Sequence, residues 1–181
     1  MEIELKFTER INDSLLPEEA KDYLNKTQTY TAIAKMREEA GLQTSSLIIG
    51  NVILVDATES EALEFAKIYA DIAKDYVKKF ALDGLRVLRL NELLRGEETI
   101  PTVRAAFEAA IDNVVLLEDA DEFISKYQDT KDENYVLWSV TAAYAFAPND
   151  IRFVVPLSKS SYEYDREKFL LERLHADTIQ F

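Results

Sequence analysis

Hydrophobic and polar positions along the chain follow two periods, and these predict helices and strands in turn. The clearest helical pattern follows Thr58, where apolar residues recur every three or four positions with charged residues between them. These apolar residues are Ala62, Phe65, Ala66, Tyr69, Ile72, Ala73, Tyr76 and Phe80. Thr58 and Glu61 match a capping box, so we expect the helix to begin beside Thr58.

Short apolar runs predict the strands, and helical patterns fall between them. The runs cover residues 47–56, 85–90, 113–119, 151–157 and 178–181, with a short alternating edge strand at 3–7. Helices are predicted from Pro17 to Gly41 and at 101–111, 135–147 and 164–174. Strands that alternate with helices favour an α/β fold with a parallel sheet covered on both faces.

The run 113–119 also ends in two adjacent acids, Glu118 and Asp119. Ligands of open α/β sheets bind at the carboxyl ends of the strands, and a P-loop NTPase holds Mg²⁺ with an acid at such a position. Glu118 and Asp119 are therefore candidate catalytic residues. The simpler interpretation is a solvated strand end, or a cap for a helix at 120–124.

Composition narrows the classes of ligand and partner. The chain has 181 residues, enough for one well-cored domain, and carries 34 acidic and 21 basic residues for a net charge of −13. Phosphate backbones and anionic membranes repel such a chain, so we expect protein partners and no nucleic acid or membrane. The absence of cysteine and the single histidine, His175, exclude thiolate and multi-histidine metal sites within one chain and agree with a cytoplasmic location.

Several segments, taken in order, resemble the large α/β subdomain of AAA+ ATPases, and within them the CbxX/CfqX group of red-type rubisco activases. They are Arg37–Leu42, the segment AKIYA at 66–70, residues 88–94 and 109–119, and the ending at 171–174 with 179–181. The resemblance implies a three-layer sandwich with a five-stranded parallel sheet. It divides the chain into an N-terminal helical extension, 1–43, and an AAA+-like subdomain, 44–181, without the family's helical lid.

The chain departs from this family at its nucleotide site. The Walker A loop should lie just before the helix at Thr58, but residues 55–61 read VDATESE, with no glycine, no lysine and three acids. Acids at a helix N-terminus repel a triphosphate. The acid pair Glu118-Asp119 also reverses the family's order of Asp then Glu. We therefore expect no ATP binding of the usual kind, no cofactor and no metal.

Arg173 matches the family arginine that reaches into a neighbouring subunit's ATP site, a role in which a guanidinium neutralises charge on the transferred phosphoryl group. With this arginine the chain could complete the site of an active AAA+ partner or of another copy of itself. An exposed arginine in the last turn of a helix is the equally good alternative.

Three functions follow from these observations. The first is a catalytically inactive AAA+-like module with a structural or regulatory role through protein–protein contacts. The second is an active or weakly active NTPase that binds nucleotide through a divergent loop. The third is a free-standing protein-binding domain that shares only the architecture.

Overall fold

The computed structural model describes residues 4–42, 49–76, 84–93, 99–122, 124, 151–165 and 176–181. The helix predicted at 135–147 and the candidate Arg173 lie outside these residues. Within them, no helix combines the length and the apolar character needed to cross a membrane.

Helices lie between most successive strands of the described chain. The helices are α1 (Thr8–Asp13), α2 (Glu18–Glu39), α3 (Glu59–Tyr76), α4 (Leu90–Leu93), α5 (Thr99–Glu108) and α6 (Lys159–Asp165). The strands are β1 (Val52–Val55), β2 (Leu85–Arg89), β3 (Val114–Glu118), β4 (Arg152–Leu157) and β5 (Asp177–Gln180).

The five strands form one parallel sheet in the order β2-β3-β4-β1-β5. Helices cover both faces of the sheet. The side chains of each inner strand point alternately to these two faces and so contact both helix layers. Val52 and Leu54 pack with α1, α2 and α3, whereas Ile53 and Val55 pack with α4 and α5. The predicted α/β class with a five-stranded parallel sheet is confirmed.

A polar cluster at the amino edge of the sheet explains why β1 is shorter than the predicted strand. The Asn51 side chain accepts a hydrogen bond from the backbone N–H of Phe153 at 2.8 Å. The carbonyls of the preceding Ile49 and Gly50 accept bonds from Arg152 Nε at 2.6 Å and from the Tyr69 hydroxyl at 2.8 Å. Burial raises the pKa of Tyr69. Side chains thus hold residues 49–51 before the strand begins.

The N-terminal helices pack on α3. Lys6 pairs with Asp75 at 2.7 Å, and Arg10 pairs with Asp71 at 2.5 Å. The strand predicted at 3–7 is wrong for the described residues 4–7, which lead directly into α1. The backbone N–H of Phe7 is bound by the buried side chain of Gln28 at 3.1 Å, which replaces a strand partner. The division of the chain at residue 43 stays a prediction.

Leu116 lies fully buried in β3 and tests the central role of this strand. We expect Leu116→Ala to lower the free energy of unfolding by about 2–5 kcal/mol, because the lost methyl groups leave a cavity among packed side chains. Urea denaturation followed by circular dichroism measures this change. Val87→Ala in edge strand β2 is the control, since Val87 is 44% exposed. An equal loss for both variants would contradict this packing.

Candidate functional site

An open pocket of about 400 Å³ lies at the carboxyl edge of the sheet, where β1, β3 and β4 end. Its lining comes from the loop after β1 with the first turns of α3, from the segment after β3, and from the end of β4. The lining residues are Asp56, Ala57, Thr58, Glu59, Ala62, Glu118, Asp119, Ala120, Asp121, Glu122, Pro156, Leu157 and Ser158. The pocket therefore unites the acid pair and the VDATESE loop that the sequence singled out.

Asp56 ends β1 and turns the chain toward α3. Its backbone adopts a left-handed conformation, with φ of 61°, which aspartate tolerates better than most residues. The Asp56 carboxylate accepts a hydrogen bond from the backbone N–H of Lys159, the first residue of α6, at 2.8 Å. An acid that follows one strand thus caps the helix that follows another.

Asp121 binds the same helix start. Both of its carboxylate oxygens lie 2.9 Å from the backbone nitrogen of Ser158, and one accepts the Ser158 hydroxyl at 3.0 Å. Ser158 Oγ in turn accepts a bond from the backbone N–H of Ser161 at 3.3 Å. These caps explain why α6 begins at Lys159, earlier than the predicted start at 164.

Glu118 is paired with Arg89 across neighbouring strands. The two residues are opposite each other in the register of β2 and β3, and Arg89 Nε lies 2.7 Å from Glu118 Oε2. The hydrogen bond and charge of Glu118, followed by the charges of Glu92 and Asp119, raise the pKa of Arg89. Asp119, the other half of the acid pair, has φ of 66° and turns the chain away from the strand.

The first turn of α3 closes on itself as the predicted capping box. Glu61 Oε2 accepts the Thr58 hydroxyl at 2.6 Å and the Thr58 backbone N–H at 2.8 Å, while Thr58 Oγ1 accepts the backbone N–H of Glu61 at 3.3 Å. The hydroxyl and then the backbone bond of Thr58 lower the pKa of Glu61. The capping box is confirmed, and it occupies the place where the family's phosphate loop would lead into the helix.

The pocket is acidic, but its acids do not converge as metal ligands. Among the described residues, no group of three or more His, Cys, Asp or Glu side chains is arranged to hold a metal ion. Glu122 binds the side chain of Asn91, so four of the lining acids bind the chain itself: Asp56, Glu118, Asp121 and Glu122. The arrangement can cap helices and tie β2 to β3.

Arg89, Asp121 and Ser158 complete this site, and sequence reasoning did not identify them as site residues. The partners in each pair are far apart in sequence, by 29 positions for Arg89 and Glu118 and by 37 for Asp121 and Ser158. The signal that could have found Ser158 is the segment SKSS at 158–161, which places a serine just before a helix start. Arg173 and His175 lie outside the described residues.

No protein-family model and no curated protein matches this chain. Among solved structures, the chain is similar to the Aeropyrum pernix ORC2 protein, solved as ADPNP-ADP complexes, with 17% sequence identity and a TM-score of 0.45. The match covers 94% of this chain but 50% of that one, so the chain spans about half the length of ORC2. A likeness this distant carries no argument about function.

The fold itself rests on the sheet. Five parallel strands with helices on both faces support the predicted likeness to the AAA+ and P-loop NTPase folds. Membership of the CbxX/CfqX group stays a prediction.

Asp121→Ala tests whether the acids of the pocket serve the fold. We expect the free energy of unfolding to fall by about 1–3 kcal/mol, because the backbone and hydroxyl donors of Ser158 lose a charged acceptor. Urea denaturation gives the value. Glu163→Ala removes an exposed acid from α6 itself and should change it by less than about 0.5 kcal/mol. If Asp121→Ala is as stable as this control, the capping role is wrong.

The lowered pKa of Glu61 predicts a pH dependence of stability. The folded state binds the Glu61 proton more weakly than the unfolded chain, so the capping contribution is complete above the ordinary pKa of 4.5. It is lost as the pH falls through the lowered folded-state value. The stability difference between the native chain and Glu61→Gln should therefore shrink on acidification. Chemical denaturation of both chains at several pH values measures this difference, and a difference that stays constant with pH would contradict the prediction.

Proposed function

We propose that the chain is a catalytically inactive AAA+-like module that acts through protein–protein contacts in a structural or regulatory role. The observation that carries the proposal is the internal use of the pocket's acids. Asp56 and Asp121 cap α6, and Glu118 pairs with Arg89. Carboxylates with these partners are committed to the fold, whereas catalytic carboxylates must face a metal ion, water or substrate.

The charge of the pocket supports the same proposal. Six acidic residues and no basic residue lie among the lining residues that the structure describes. Each phosphate charge brought about 5 Å from one of these carboxylates meets a repulsion of roughly 3 kcal/mol at an effective dielectric constant near 20. A bound Mg²⁺ would offset part of this repulsion, but no metal-ligand group occurs among the described residues.

The first turn of α3 adds a third argument. A phosphate loop works because glycine backbones wrap the phosphates and leave helix N–H groups available to them. Here Glu61 and Thr58 bond each other at the helix start, and Glu59 adds a negative charge beside them. The backbone N–H groups of Thr58 and Glu61 at this helix start are thus bonded to side chains of the chain itself.

In this proposal the partner is a protein, either an active AAA+ ATPase or a second copy of the chain. The sequence resemblance to the CbxX/CfqX group assigns Arg173 the part of an arginine finger for that partner's site. The strong negative charge of the chain favours a partner that presents basic residues around the contact.

A second candidate, an NTPase with a divergent loop, is favoured by the pocket itself. Its volume of about 400 Å³ falls within the range of small-molecule sites, roughly 300–1,000 Å³, and it lies at the edge where α/β sheets bind ligands. This candidate requires Glu118 and Asp119 to face Mg²⁺, so their replacement by alanine should abolish turnover.

A thermal-shift measurement with MgATP separates the two candidates. Any ligand that binds only the folded state adds about 2.7 kcal/mol of stability at 100 times its Kd, which raises the Tm by several degrees for a domain of this size. We expect millimolar MgATP to leave the Tm where it stands with Mg²⁺ alone. A rise that the Glu118→Ala/Asp119→Ala double variant loses, with ATP hydrolysis, would favour the NTPase instead.

A further inference from the structure

Helix α2 carries an exposed stripe along one side. Its members recur every three or four positions, so they lie on one line of the helix surface. The α2 stripe consists of Glu19, Asp22, Lys26, Tyr30, Ile33 and Arg37. The exposed fraction is 59% for Tyr30 and 38% for Ile33, two large apolar side chains one turn apart. Large apolar side chains that recur together on a helix face mark a contact surface more often than isolated ones do.

The inward side of α2 is partly polar at the level of Tyr30 and Ile33. The side of the helix that faces the rest of the chain buries Thr27, Gln28 and Thr31. Thr27 and Thr31 donate to the carbonyls of Tyr23 and Gln28 at 2.8 Å, and Gln28 binds the start of α1. The buried polar side chains on the inward side of α2 are thus hydrogen-bonded. Leu24 and Ala34 are buried on the same side, whereas the larger Tyr30 and Ile33 are exposed.

The charged members of the stripe are available to a partner. Within the described residues, the side chains of Lys26 and Arg37 make no hydrogen bond or ion pair. Glu19 accepts one bond of 3.3 Å from the backbone N–H of Gln180 and keeps its remaining acceptor capacity. These side chains are exposed, so a partner can reach all of them.

The order of charged residues along the α2 stripe is complementary to that of a second, antiparallel copy of the stripe. Acids stand at its N-terminal end and an arginine at its C-terminal end, with Gln28 at the midpoint between Glu19 and Arg37. If a second α2 runs antiparallel with the symmetry axis at this level, Arg37 of one copy lies opposite Glu19 of the other and within side-chain reach of Asp22. Lys26 then lies opposite Tyr30, a pairing that allows a cation–π contact. The same contacts recur at both ends, as an isologous interface requires.

We propose that this protein forms a reversible homodimer through antiparallel pairing of its α2 stripes. Charge complementarity selects a second copy as the partner, because each charged position meets its opposite or an aromatic ring only in the reversed orientation. The inference goes beyond the proposed function, because it uses no residue of the pocket and holds whether or not the chain binds nucleotide.

The length of α2 limits the area of the dimer interface and therefore its affinity. A helix of 22 residues is about 33 Å long and offers less than the roughly 800 Å² per partner of a standard stable interface. The dimer is therefore weak and concentration-dependent. The net charge of −13 adds repulsion between copies, which salt near 0.15 M screens beyond about 8 Å.

Sedimentation velocity on the full chain, over a concentration series at about 0.15 M salt, tests the dimer. We expect the average mass to rise reversibly from monomer toward dimer. Arg37→Glu and Glu19→Arg should each raise the dimer dissociation constant by about tenfold, since each places like charges opposite one another at both ends. Lys67→Glu makes the same charge change as Arg37→Glu on the exposed side of α3 and should leave the dissociation constant unchanged.

An equimolar mixture of the Arg37→Glu and Glu19→Arg chains gives the decisive measurement. In the mixed dimer both ends pair opposite charges again, so the mixture should recover the affinity that each variant lacks alone. Circular dichroism melting of each variant shows that folding is intact. A chain that stays monomeric at every concentration overturns the proposal, and so does a dimer whose affinity the two variants leave unchanged or whose mixture shows no recovery.

Discussion

Because every strand of this sheet runs in the same direction, all the strands end at one edge, and the structure depends on how that edge is capped. Helices that start there gather their unpaired backbone N–H groups at the same edge, and each group needs an acceptor. In an NTPase a bound phosphate fills part of that need. Here the side chains of Asp56, Asp121 and Glu61 accept these bonds. Two of the six acids that line the pocket, Asp56 and Asp121, therefore serve the start of a helix at this edge.

Strand β1 joins this edge to the N-terminal helices. It lies between β4 and β5, and its four residues are all buried. One face of β1 is covered by the layer of α1, α2 and α3, so the N-terminal helices complete the core as well as extend it. In α2, the inward side includes buried threonines, whereas Tyr30 and Ile33 are exposed.

Local signals predicted much of the fold. Three features depend only on a few neighbouring residues and could therefore be predicted from the sequence. They are the capping box at Thr58, the start of α2 after Pro17 and the buried run that forms β3. Gly41 has φ of 72°, the left-handed conformation of a helix end, as its position predicted. The pocket's geometry depends on strand register and on contacts across the sheet. Glu118 meets Arg89 only because β2 pairs with β3 in one particular register, and no local pattern encodes that.

The capping role of Asp56 and Asp121 also limits which substitutions these two positions tolerate. Substituting either aspartate removes an acceptor from the start of α6, so a role in folding is by itself a reason to retain it, whatever the pocket binds. A lysine that arose beside them to favour phosphate would compete with the helix for the same carboxylates. Replacing Asp56 or Asp121 to make this edge less acidic would therefore also remove a helix cap.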